Sequence, residues 1–356
     1  MTTKAIDLLC AGGLSLLAIA AVIAFAPRPL QGNDYGLLFA LGVLINSPHF
    51  IASYRILYGS RESVLRYKAA SIYFPAAIFA YSVFAIAFAS RQPIHGKLIL
   101  AAAGLYLSRH YTGQAWGMMS TFSFLEGTPF AERERRLVRL SLNLLMGWHL
   151  AWAASRTVGF VAPEAADVVR RIYVAACWLA PVASGIGLVG LGLLARRIGR
   201  APPLRVLAPW LAIHVWYVAM AIEPTVLLAV QLGHALQYLP FPMRIGINRR
   251  HREEPGAPAA DDWGRAALSL VAWIAIGAAV FEGMKPLFAI GFALAGGQGT
   301  LPDAVSQTFV AAIGIHHYFV DGALYKLRNP EVRRDLFAHV APAAAVAPSV
   351  AAAAGG

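Results

Sequence analysis

Ten histidines occur in this 356-residue chain, which is 58% hydrophobic and only 13% charged. His95, His251 and His339 fall in loops or tail, and the other seven lie in apolar segments. Ionisable groups inside apolar spans are costly and mark functional sites by default. Four segments share one local pattern, since residues three or four apart occupy one helical face. His49 is followed four residues later by Ser53, His110 by Gln114, and His317 by Asp321; His234 is followed by Gln237 and Tyr238. Each face carries an imidazole and, one turn on, a polar group. Neutral imidazole is the commonest transition-metal ligand, and a His-rich set with little carboxylate or thiolate suits iron, copper or zinc rather than magnesium or calcium. His49, His110, His234 and His317 are the expected ligands, joined by the adjacent His316 and by His214. Asp321 is a ligand or the acceptor that fixes a histidine tautomer. Asp321, Gln114 and Tyr238 are the polar groups placed for catalysis.

The elements that must hold these residues are membrane spans. Soluble domains carry about a quarter of charged residues, and apolar stretches of the ~20 residues that cross a bilayer recur along the chain. They fall near 5–26, 36–56, 69–90, 97–119, 137–155, 172–194, 205–222, 225–241, 266–285 and 304–323. Residues 286–299 read as a re-entrant stretch or an extension of the ninth span. The N-terminal apolar run exceeds the ~7 to 15 residues of a signal sequence core and reads as a retained helix. Arginine and lysine clusters follow every even-numbered span, which by the positive-inside rule predicts ten helices in the inner membrane with both termini cytoplasmic. Residues 1–339 then form one all-α membrane domain, and the Ala/Pro-rich segment 340–356 a disordered tail. On this plan His49, His110, His234 and His317 sit on helices running one way, each at or past its midpoint, so one layer can hold them all. The net charge of +12 lies in the short basic loops and needs no nucleic-acid partner. Cys10 and Cys177 show no CxxC spacing. Ala183, Gly187, Gly190 and Gly192 form a small-residue face for close helix packing. Arg109, beside His110, reads as needing a buried acidic partner such as Asp321, Glu223 or Glu282.

The phrases Pro48-His49-Phe50-x3-Tyr54-Arg55, His110-x2-Gly113-Gln114, His234-x2-Gln237-Tyr238 and His316-His317-Tyr318-Phe319-x-Asp321-Gly322 resemble those of His-rich polytopic bacterial membrane proteins. In general plan the chain is similar to the Brp/Blh-type carotene dioxygenases. That resemblance implies membrane histidines holding one non-haem iron and oxidation of an apolar polyene with oxygen. The histidine boxes of membrane desaturases are absent, and so are nucleotide, flavin and GxSxG signatures. The expected function is a metal-dependent membrane oxidoreductase, an iron oxygenase or oxidase acting on an apolar lipid or isoprenoid, with an electron-donor protein where electrons are needed. Bis-histidine haem binding for electron transfer and a proton-coupled transporter are the alternatives.

Overall fold

The computed structural model describes residues 3–25, 40–88, 94–256, 258–294, 301–324, 327 and 330–339. The expected tail at 340–356 lies outside them. Described regular structure is helical throughout, with no strand. In chain order the helices are α1 (4–25), α2 (42–58), α3 (Arg61–Arg66), α4 (Ala69–Ala87), α5 (Ile94–Leu125), α6 (Glu132–Val161) and α7 (Pro163–Ile198). There follow α8 (Leu204–Ile222), α9 (Leu227–Tyr238), α10 (Pro240–Glu253), α11 (Ala260–Phe281), α12 (Met284–Leu294), α13 (Leu301–Leu324) and α14 (Pro330–Phe337). The expected span at 225–241 is two elements. α9 stops at Leu239 because Pro240 lacks an N–H, and α10 starts on that proline, where the missing donor costs nothing. The break at Glu282-Gly283 likewise separates α12 from α11.

Among the described residues, four helical stretches are long and apolar enough to cross a membrane: Ala69–Ala87, Pro163–Ile198, Leu204–Ile222 and Ala260–Ile290. They display large apolar side chains outward, including Phe79, Trp178, Leu188 and Leu268, a pattern suited to lipid and poorly suited to water. The helices that carry His49, His110, His234 and His317 are not among these four stretches.

Most of the ion pairs gather at one end of the bundle, Arg170–Asp167 near the start of α7 being an exception. Arg205, at the start of α8, reaches Asp7 of α1 at 3.0 Å and Glu126, just past α5, at 2.5 Å. Arg197 at the end of α7 holds Glu134 at the start of α6 at 2.7 Å. Asn248 and Arg249 of α10 hold Asp335 of α14. Burial would raise the Asp335 carboxyl, but hydrogen bonds from Arg252 and Arg249 hold it below the usual carboxylate range. These contacts give α5 and α10 one direction and α6 and α8 the opposite one.

Small residues set the spacing. A Cβ on Gly187 would meet the Trp210 ring at 2.6 Å and Ser141 at 2.7 Å, and one on Gly190 would meet Leu137 at 3.0 Å. Gly192 faces open space and does not belong to this contact. In α1 a π-turn at Leu9–Gly13 places Gly12 at φ 143°, against Ala208 and Ala212 of α8. That backbone conformation is almost exclusive to glycine, and side chains forced into it lose about 1–3 kcal/mol. Gly12→Ala is therefore expected to lower the melting temperature of the detergent-purified protein by several degrees. An unchanged melting temperature would show that α1 does not depend on this approach.

Candidate metal centre

Helices α2, α5, α9 and α13 bring four histidines into one buried layer. His317 Nε2 lies 2.8 Å from His49 Nε2, and His110 Nε2 lies 2.8 Å from His234 Nε2. Asp321, one turn after His317, points the same way: its Oδ2 is 3.3 Å from His317 Nε2 and 3.9 Å from both His49 Nε2 and His110 Nε2. One ligand atom from each of His49, His110, His317 and Asp321 lies within 4.8 Å of the other three, and all four residues are buried. Ligand bonds of about 2.1 Å allow at most about 4.2 Å between opposite ligands, so these four atoms close on one ion with shifts of a few tenths of an ångström. His234 joins this group through His110 Nε2 and packs edge-on against the His49 ring, 5.1 Å between centroids.

The surroundings orient the donors. His49 Nδ1 lies 3.3 Å from the Asn46 carbonyl. A carbonyl only accepts, so Nδ1 carries the proton and Nε2 presents its lone pair to the layer. Ser53 donates to Asp321 Oδ1 at 2.6 Å, and its oxygen lies 2.6 Å from the Tyr238 hydroxyl. Tyr238 also hydrogen-bonds the Asp321 carboxylate, so both hydroxyls support it. This chain anchors Oδ1 and leaves Oδ2 buried without a hydrogen bond, facing three Nε2 atoms. An orphaned buried acceptor costs about 1–3 kcal/mol, and a cation among those nitrogens satisfies it. The donor set therefore fits a metal ion. Aromatic rings fix the imidazole planes: Phe50 stacks on His317 at 4.1 Å, Tyr318 on His110 at 4.6 Å, and Tyr111 leans on His234 at 4.6 Å.

Other expected members lie elsewhere. His316 points about 100° away from His317, as neighbours on a helix do; its Nε2 lies 2.7 Å from the Ala70 carbonyl, and its ring stacks on Tyr54. His214 folds back on its own helix, with Nδ1 2.8 Å from the Trp210 carbonyl. Gln114 donates to the His234 carbonyl at 2.8 Å and to Gln237 at 3.4 Å, and so ties α5 to α9 rather than facing the donor atoms. Arg109 is exposed and pairs with no carboxylate among the described residues; about 100° round α5 from His110, it points out of the bundle. Asn46, Phe50, Tyr111 and Tyr318 are supporting residues that the spacing of polar groups did not single out. Adjacency to a histidine in the sequence pointed to Phe50, Tyr111 and Tyr318, and nothing pointed to Asn46.

The His316 geometry separates it from the ligands by experiment. His316→Ala removes one hydrogen bond to a backbone carbonyl, worth about 1 kcal/mol, and ring contacts with Tyr54 and Phe74, and is expected to leave the metal content of purified protein unchanged. Loss of metal as complete as for a variant of His317 would place His316 in the site.

Comparison with known protein families, with curated proteins and with solved structures finds no match.

Proposed function

We propose that this protein is a polytopic membrane metalloenzyme in which His49, His110, His317 and Asp321 hold one transition-metal ion, with His234 beside them. The observation that carries the reading is the convergence of three Nε2 atoms and an unpartnered carboxylate oxygen within 4.8 Å in a buried layer. Imidazoles combined with a carboxylate are the donor mixture of non-haem iron oxygenases, and iron is the metal assigned here over copper or zinc. Four imidazoles in mutual contact, flanked directly by Phe50, Tyr111 and Tyr318, favour a single ion over a haem macrocycle. The ten-helix inner-membrane arrangement, with the ion-paired end of the bundle in the cytoplasm, belongs to the same proposal. It rests on the basic loops together with the exposed apolar faces.

The proposed reaction is oxidation, by dioxygen, of an apolar lipid or isoprenoid that enters from the bilayer. A bound iron would supply the capacity to activate dioxygen at coordination positions that the protein leaves open. The chain's own part is to exclude water through the aromatic wall, to hold the donors in register, and to position a proton on the Tyr238–Ser53–Asp321 chain. Insertion of one oxygen atom, with the other leaving as water, takes two electrons from a separate donor protein; insertion of both atoms takes none.

The test is incubation of iron-loaded protein with ¹⁸O₂, a reductant and a total lipid extract, followed by mass spectrometry of the lipids. The expected result is ¹⁸O in a lipid product, absent when Asp321→Asn replaces the wild type. Iron-loaded wild type that neither consumes oxygen nor labels any lipid would remove the oxygenase reading.

A further inference from the structure

Below the histidine layer, toward the ion-paired end, α2 and α11 part. They touch higher up, where a Cβ on Gly277 would come within 2.6 Å of Ser47. Lower down, a cleft of about 770 Å³ opens beside them, and a shallower apolar groove runs from it between Ile51 and Ile276. Arg55, Leu268, Ser269 and Trp273 line both. Cleft and groove are thus one amphipathic surface, polar at the end of the bundle and apolar along its side.

The cleft's charge is unbalanced. Its lining contains seven arginines and five carboxylates. Asp335 alone is shared by Arg249, Arg252 and Arg334, while Arg250 is held by Asp262 and Glu254, and Arg66 by Glu62. Arg55 and Arg265 have no carboxylate partner among the described residues. Arg55 reaches the Ser269 hydroxyl at 3.4 Å and lies 5.8 Å over the Trp273 ring. Arg265 is one turn before Ser269, on the same face of α11. Two uncompensated guanidiniums therefore flank the point where cleft meets groove. A guanidinium fork matches phosphate and carboxylate oxygens in a way a simple interfacial cation does not.

We infer that this junction binds an amphipathic lipid with an anionic headgroup. The head is held by Arg55 and Arg265, and the chain lies along Ile51, Leu268 and Ile276. The inference names the substrate class of the metal site and rests on the oxidation reading above. Trp273 links the two regions: it is buried against Ala52 and Tyr238, and Tyr238 bonds Ser53 beside Asp321. Arg55 follows His49 by six residues, about 9 Å along the helix axis, so the oxidised position lies in the part of the chain near the head.

The test is native mass spectrometry of the holoprotein in neutral detergent, titrated with dioleoyl phosphatidylglycerol or with dioleoyl phosphatidylcholine. The anionic lipid is expected to bind at least ten-fold tighter. The double variant Arg55→Gln/Arg265→Gln, altered only at exposed positions, is expected to erase that preference, and Arg55→Lys/Arg265→Lys to keep part of it. Ala272→Trp, which fills the groove, is expected to weaken both lipids, and millimolar glycerol phosphate to displace neither. Equal binding of the two lipids by wild type, a preference that survives the double glutamine variant, or displacement by glycerol phosphate would overturn the inference. Metal content measured on the same samples keeps the two readings apart. Absence of metal with the lipid preference intact would remove the oxidation reading alone, and bound metal without the preference would remove only the lipid site.

Discussion

His317→Ala is expected to lower metal affinity by ~100-fold or more, beyond the 10- to 100-fold typical of residues that only support a ligand. Its Nε2 lies close to two of the other three donors, 2.8 Å from His49 and 3.3 Å from Asp321, and the residue is fully buried. Alanine leaves Asp321 Oδ2 with two nitrogens 3.9 Å away and opens a hole beside Phe50. Truncating a large buried side chain costs roughly 2–5 kcal/mol, so the variant is to be judged on material that elutes as a single species. The hole has the shape of the ring it lost, and added imidazole is expected to restore part of the metal content, which a general folding defect does not allow. Metal content within two-fold of wild type would remove His317 from the ligand set.

Asp321→Asn is expected to separate metal binding from folding. Asparagine keeps the volume and, through its carbonyl oxygen, the hydrogen bond from Ser53, but replaces the unpartnered Oδ2 by an amide that can donate to an imidazole nitrogen. The metal-free variant is therefore expected to melt at or above the temperature of metal-free wild type. With metal the order reverses: a ~100-fold weaker site forfeits about 2.7 kcal/mol of ligand-linked stabilisation. Ser53→Ala, which removes the anchor on Oδ1, is expected to fall between the two, with a ~10-fold loss of affinity. Differential scanning fluorimetry with and without ferrous iron reads all three. An Asp321→Asn protein stabilised by iron as strongly as wild type would make the carboxylate a structural acceptor only.

Much of the site is legible in the sequence because depth and helix direction are. Apolar length and loop charge orient the helices, and counting at 1.5 Å per residue then places His49, His110, His234 and His317 at one level. The pairing of His317 with Asp321 follows from their spacing of four. Facing is harder to read. His316 and His317 are indistinguishable in polarity, and only the packing of α13 against α2 and α4 decides which imidazole meets His49 and which meets Ala70. His214 and Gln114 look equally available, yet each finds a local or backbone acceptor first: His214 the Trp210 carbonyl four residues back, Gln114 the His234 carbonyl across the helix interface. Backbone acceptors are invisible to a reading of side-chain types, which is also why Asn46 was not singled out. The break at Leu239 shows the same limit, since an apolar run continues through Pro240 while the helix does not.

The most direct test of a metal centre is elemental analysis of protein purified without a metal-affinity tag, together with its optical spectrum. About one transition-metal ion per chain is expected, iron before copper or zinc, without the intense absorption of a haem. The ion is expected to be retained by His316→Ala and lost from His317→Ala. Protein that is well folded yet holds no transition metal, and takes up none when ferrous iron, copper or zinc is supplied, would contradict a metal centre here. The four imidazoles would then be a hydrogen-bonded core and Asp321 a proton site within it.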